Sequence, residues 1–317
     1  MLAHLPIFPV LLPFLTGLLL LGLRRRDMAL KRVIGVAAVV LQIAAALALL
    51  GAVSGGDILV YRLGDWAAPW GIVLVADRLA AWMILVTTLL ALFALLHACN
   101  GTDERGAHFH TLFQMQLFGL TGAFLTGDLF NLFVFFEILL LASYGLLLHG
   151  GGPERVKAGL HYVVLNLLGS TVFLFAAGVL YGTLGTLNMA DLAVRVANAP
   201  EDALGLVRTG GLLLLAVFAL KAALLPLYLW LPAAYAHTSA PVAALFAIMT
   251  KVGAYSILRT QTLMFGPGEG PAADLFGPWL LPLALLTMVI GILGALGADS
   301  LRRQVAYLVV ASIGTLL

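Results

Sequence analysis

Apolar residues run along this chain in blocks of roughly 15 to 27, unbroken by the polar alternation of a half-buried strand, and the polar residues gather in the gaps between blocks. A helix rises about 1.5 Å per residue, so a block near 20 residues matches a hydrocarbon layer about 30 Å thick. Ten blocks predict ten crossings: 6–23, 33–53, 77–97, 109–126, 129–149, 157–182, 209–235, 240–263, 278–298 and 303–317. The fold class expected is an all-α polytopic membrane protein whose seventh helix is broken. The last block, only 15 residues, would make about 22 Å of helix, so the chain reads as a fragment or an early-terminated member of something longer.

Three ionisable residues interrupt the blocks, and they are the candidate site. Counted from the nearest block end, Glu137 lies roughly 12 Å deep, Lys251 roughly 15 Å and Lys221 roughly 18 Å. Each costs about 2.5–3.5 kcal/mol on insertion scales, so the three together cost on the order of 8–10 kcal/mol before any pairing. Such groups mark ion or proton paths more often than packing, because a purely structural buried ion pair is readily replaced by apolar residues. A common depth predicts a row of titratable groups parallel to the membrane.

The seventh block, GGLLLLAVFALKAALLPLYLWLPAAYAHTSAP, carries its own defect. Pro226 has no N–H to give the carbonyl of Ala222, and Pro232 repeats the loss at Tyr228. Backbone freed in this way survives in a bilayer only beside protein or a wetted cavity, which puts Lys221 next to a polar gap. Of the seven histidines, His161 and His237 stand where protons would gain access to or relay through that gap. The others, His4, His97, His108, His110 and His149, fall at block ends, a placement that argues against paired haem ligation. Asn166, Ser170 and Thr171 are candidates to line water, whereas Gly178 and Gly182 predict a close helix contact.

The gaps are less informative. Residues 54–76 hold two β-rich runs about DWAAPWG, predicting a short external hairpin with Trp66 and Trp70 near the interface. The polar stretch 100–110 reads as a connector, and 183–208 as an amphipathic helix on the outer surface.

Composition agrees with the pattern: 62% of residues are hydrophobic, only 10% are charged, and the mean hydropathy is +1.07. That leaves no room for a soluble domain, and the net charge of +2 gives no reason to expect nucleic acid. Arg24, Arg25, Arg26, Lys31 and Arg32 follow the first block instead of preceding it, the reverse of a signal peptide, so that block is expected to be a retained span with its N-terminus outside. Ten basic residues then fall in inside loops and five outside, in keeping with the positive-inside rule. The single cysteine, Cys99, excludes an internal disulfide and a four-cysteine metal site. Neither a metal-binding motif, a nucleophile arrangement nor a phosphate-binding loop is present, and no cofactor is expected.

The stretches GDLFNLFVFFEILLLASYGLLLHGG, LKAALLPLYLWLPAAYAHTSAPVAALFAIMTKVGAYSILR and LRRQVAYLVVASIG resemble the antiporter-like membrane subunits shared by Mrp-type multisubunit Na⁺/H⁺ antiporters, respiratory complex I and membrane-bound hydrogenases. The NLFVFFE and HTSAPVAAL forms look most like the D subunit of the Mrp type. The resemblance implies that Glu137, Lys221 and Lys251 are a proton relay. It also implies an N-terminal three-helix segment (1–108), a first five-helix repeat (109–263) and the truncated start of an inverted second repeat (264–317). Partners would be the other antiporter subunits of a multisubunit complex in a bacterial inner membrane, exchanging protons for Na⁺ or another monovalent cation. Two rivals remain open at this stage: a proton-pumping subunit of a redox complex, and a scaffold whose charges only lock helices.

Overall fold

The computed structural model describes residues 2–23, 27–266, 268 and 270–317; Arg24, Arg25 and Arg26, three of the ten basic residues expected on the inside, lie outside the described residues. Among the described residues, twelve α-helices follow one another: α1 (Phe8–Gly22), α2 (Met28–Val53), α3 (Arg78–Ala98), α4 (Phe109–Leu125), α5 (Leu129–Leu148), α6 (Pro153–Leu184), α7 (Met189–Ala197), α8 (Leu204–Ala222), α9 (Trp230–His237), α10 (Ala240–Leu263), α11 (Gly277–Leu296) and α12 (Leu301–Leu316). Eight helical stretches among them are long and apolar enough to cross a membrane. The 109–126 and 303–317 blocks form helices of 17 and 16 residues, shorter than those eight.

Several boundaries differ from the sequence reading. Helix α2 begins at Met28, so Lys31 and Arg32 sit in its first turns and not in a loop. The surface helix expected over 183–208 is only α7; residues from Leu204 already belong to α8, and Arg208, one turn in, donates to the carbonyl of Pro271. An arginine at the end of an apolar helix reads as loop by charge alone, yet its guanidinium reaches past the helix to a carbonyl. Gly178 and Gly182 do not mediate a helix contact: a β-carbon on either would meet nothing within 4 Å.

The hairpin pairs β1 (Leu59–Arg62) with β2 (Val73–Ala76) antiparallel, with Trp66 and Trp70 both exposed. It is tied into the bundle, because Gly127 between α4 and α5 donates to the carbonyl of Val73 and accepts from the amide of Met189. Gly127 has to be glycine, since a β-carbon there would lie 2.6 Å from Val75 Cγ2.

Helix ends are capped by short polar side chains where the sequence supplies them. Asp77 caps α3 at Ala80, Asp128 caps α5 at Asn131, and Ser300 caps α12 at Arg303. Helix α6 lies against both α5 and α8, while α10 lies against α3, α8 and α12. Between α5, α6 and α8 the core is aromatic: Phe173 meets Phe136 and Phe218 edge-on, and Phe136 stacks on Phe218 at 6.1 Å.

Candidate functional site

Helix α6 joins the first two of the three ionisable residues. Ser170 donates its hydroxyl to Oε1 of Glu137 on α5, and Asn166, one turn earlier on the same face, accepts from Nζ of Lys221 at 3.3 Å. Asn166 is fixed by donating its own amide to the carbonyl of Tyr162 at 2.8 Å. Asn166 is 2% exposed, Ser170 6% and Lys221 5%, so the seam is buried at these three residues, whereas Glu137 is half-buried. Glu137 and Lys221 themselves make no ion pair within 4.0 Å; their hydrogen-bond partners, Ser170 and Asn166, both lie on α6. Thr171, named with Asn166 and Ser170 from sequence, is exposed and bonds back to Leu167.

Three further features accommodate Lys221. Its amine stands 5.6 Å from the ring centroid of Phe136, within the range of a cation–π contact. Gly169 leaves room beside its Cε, where a β-carbon would come within 3.8 Å and would press on Leu220 at 2.7 Å. The lysine is the last residue but one of α8, where the carbonyl end of the helix favours a cation.

Beyond Lys221 the chain leaves helical geometry until Trp230. Ala223 takes a left-handed conformation (φ 60°), and the amide of Leu225 turns to Oγ1 of Thr287 on α11 at 2.8 Å. The indole of Trp230 donates to the carbonyl of Leu220 at 3.0 Å. Pro226 lies in this segment. Helix α10 approaches closely: a β-carbon at Gly253 would lie 2.7 Å from the carbonyl carbon of Lys221. Lys251, two positions away and therefore on another side of α10, donates to Ser312 of α12 at 2.7 Å. The two lysines thus share no hydrogen-bond partner among the described residues. Lys251 turns toward α12 and Lys221 toward α6.

His161 and His237 line a cavity of about 750 Å³ between α6 and α9, together with Glu154, Lys157 and Leu229. Leu229 is the last residue of the non-helical segment before Trp230, so the cavity reaches the end of that segment. His161 lies two turns into α6, deeper than the sequence boundary implied, because the helix starts at Pro153.

With this geometry in hand, comparison with known proteins is decisive: residues 126–317 match the family described as NADH:quinone oxidoreductase/Mrp antiporter, transmembrane. The chain belongs to the NADH:quinone oxidoreductase/Mrp antiporter family. It is 47% identical to the probable K⁺/H⁺ antiporter D subunit of Rhizobium meliloti over 99% of its own length and 59% of that protein's. It is 40% identical to the Na⁺/H⁺ antiporter D subunit of Alkalihalophilus pseudofirmus, covering 98% of this chain and 62% of the relative. The structure superposes on a chain of the Mrp complex from Dietzia sp. DQ12-45-1b with a TM-score of 0.88 and 33% identity, over 99% of this chain and 57% of that one. The chain therefore spans about three fifths of the length of the curated relatives it matches.

Two polar clusters escaped the sequence reading of this family member. The stretch 100–110 is no mere connector: Asp103 is fully buried, accepts from Nε of Arg32 at 2.7 Å and Nη2 at 2.9 Å, and lies 3.0 Å from Nε2 of His110. Cys99, Asp103 and His110 gather their ligand atoms within 4.8 Å, but the guanidinium already occupies both carboxylate oxygens. That donor set suits an ion-pair lock better than a metal. Burial pushes the Asp103 carboxyl up, and the hydrogen bonds from Arg32 and His110 outweigh it, holding the group below the ordinary carboxylate range. A lowered folded-state pKa means stability that is complete above the unfolded value near 4 and lost as pH falls through the folded one. Asp103→Asn is accordingly expected to lower stability at pH 7 by about 1–3 kcal/mol and to flatten the acid limb below about pH 4, read by thermal unfolding against pH.

The second cluster lies across α3 and α10. Arg259 donates from both terminal nitrogens to Asp77 at 2.5 Å and from Nε to the hydroxyl of Tyr255, which in turn donates to the carbonyl of Phe124. The only signals for either cluster in the sequence were charges at block edges.

Proposed function

We propose that this chain is the proton-translocating subunit of a multisubunit monovalent cation/proton antiporter of a bacterial inner membrane, with Glu137, Lys221 and Lys251 as its relay. The observation that carries the reading is the α6 seam, a half-buried carboxylate and a buried amine joined to Ser170 and Asn166 one turn apart. Glu137 holds the Lys221 ammonium through that seam. When the two separate, the proton leaves Lys221 for Lys251 through water around the non-helical segment that contains Pro226. Residues 209–235 then act as one broken crossing, α8 and α9 in series, within a chain of ten crossings whose first repeat is 109–263. The cavity at His161 and His237 supplies the proton from the surface. The names of the relatives point to K⁺ as well as Na⁺ as the exchanged cation, so the cation is broader than Na⁺ alone.

The family description also joins the antiporters to NADH:quinone oxidoreductase, which favours a second reading: the same relay driven by a redox module. The proteins that co-purify with the chain distinguish the two.

For the relay itself, the test is ΔpH-driven cation exchange in vesicles carrying the assembled complex, with Glu137→Gln and Lys221→Ala made separately. Each is expected to reduce exchange by at least about tenfold while assembly stays normal, since losing one charge-stabilising partner is worth roughly that factor or more. Exchange at the unmodified rate in both would end the relay. A fitted apolar replacement of both residues that keeps full exchange would leave a scaffold.

A further inference from the structure

A groove of about 300 Å³ lies between the α9–α10 junction and α12, away from the relay cavity. Its walls are apolar, with Ala243 and Ala247 on α10 and Val305 and Val309 on α12; its polar groups, Thr238 and Arg302, are few. Thr238 is 1% exposed, and its hydroxyl has no partner among the described residues; the buried Ser239 hydroxyl beside it has none either. A buried hydroxyl without a partner costs about 1–3 kcal/mol, and an acceptor entering from the groove has to part the α9–α10 junction slightly to reach Thr238.

Three features give that acceptor its charge. The 24-residue helix α10 begins here without a side-chain cap, and Pro241 in its first turn has no N–H, so the positive end of its dipole faces the groove mouth. Arg302 is exposed and forms no ion pair among the described residues, whereas its neighbour Arg303 pairs with Asp299. Arg155, which donates to the carbonyl of His237 at 3.0 Å, stands within electrostatic reach of both Arg302 and Arg105.

We infer that this groove seats an anionic phospholipid, its phosphodiester at the start of α10 between Thr238 and Arg302 and one acyl chain between α10 and α12. A phosphodiester satisfies the hydroxyl, the helix end and the guanidinium together. A free phosphate would leave the alanine and valine walls empty, and a zwitterionic lipid brings its own cation to the phosphodiester in competition with Arg302. The bound lipid has a mechanical consequence, because the groove ends at Val309, whose carbonyl accepts from Ser312, the partner of Lys251. The lipid therefore braces the helix that holds the third relay residue, although its binding does not depend on the relay.

The experiment uses the assembled complex in detergent, depleted of lipid and then given phosphatidylglycerol or phosphatidylcholine with a photoreactive acyl chain. Cross-linked peptides are mapped by mass spectrometry. Phosphatidylglycerol is expected to label residues 240–247 and 305–309 about fivefold more than phosphatidylcholine, the worth of one cation at an anionic headgroup. Arg302→Gln should bring that ratio close to one, and Ala244→Trp, which fills the groove, should reduce labelling by both lipids. Excess inorganic phosphate should leave most of the labelling in place. The inference is overturned by equal labelling from the two lipids in the unmodified protein or by labelling that neither variant changes. It is equally overturned by labelling that phosphate abolishes, or by cross-links showing a polypeptide segment in the groove.

Discussion

Gly253→Ala is expected to destabilise the protein by about 3 kcal/mol and, under the proposed function, to reduce cation exchange by about tenfold or more, although it adds a single methyl group. At an open helical position the same change would stabilise by about 1 kcal/mol. Here the new β-carbon meets the amide nitrogen of Ala222, the carbonyl carbon of Lys221 at 2.7 Å and Cα of Ala222 at 2.8 Å. All three are backbone atoms, and no rotamer change can relieve them. The segment bearing Lys221 has to retreat from α10, which disturbs the bond of its amine to Asn166. Gly178→Ala is the matched control, since its β-carbon meets nothing within 4 Å, and it should be neutral or stabilising. Thermal unfolding of the purified complex and exchange in vesicles read the two effects separately. Wild-type behaviour in Gly253→Ala would show that α8 and α10 are not packed as described.

Asp77→Ala has a comparable expected cost, about 3–5 kcal/mol, because it leaves the largely buried Arg259 guanidinium without its counter-charge and also removes the cap of α3. Burial pushes the Asp77 carboxyl up, but the bond from Arg259 and the amide of Ala80 hold it below the ordinary range. The contribution is therefore present at neutral pH and is lost only as pH falls through that depressed value, below about 4. Removing both charges with Asp77→Ala and Arg259→Leu together should recover much of the loss, while leaving the cap of α3 absent. If the double variant is no better than Asp77→Ala, the cost lies in the cap and not in the ion pair. Urea or thermal unfolding at pH 7 compares the variants, and the difference between the unmodified protein and Asp77→Ala should shrink only well below pH 4.

Hydropathy made the helices legible because a membrane span has to be apolar along its whole length, and that constraint is local in sequence. The hairpin at 59–76 was legible for the same reason, from β-rich runs around a turn. What remained hidden depends on contacts between distant parts of the chain. Arg32 finds Asp103 across 71 residues and Arg259 finds Asp77 across 182, and no spacing rule links either pair. Within the candidate site, Glu137, Lys221 and Lys251 stood out as charges in apolar runs, and Asn166 with Ser170 as polar residues one helical turn apart. Thr171 misled because one further step rotates a helical side chain by about 100°, off the buried face. The direction of Lys251 was illegible, because Ser312 lies on a helix that the pattern marked only as another apolar block.

The way the chain is held after Ala222 bears on how force travels through the molecule. Leu225 is fastened to Thr287 of α11, and Leu220 is fastened to Trp230 of α9, so the interruption is a clamped joint and not a loose hinge. A swing of α9 about this segment would have to break the bond to Leu220 or strain the one to Thr287, each worth about 1 kcal/mol, so the two bonds oppose independent movement of α9 and α11.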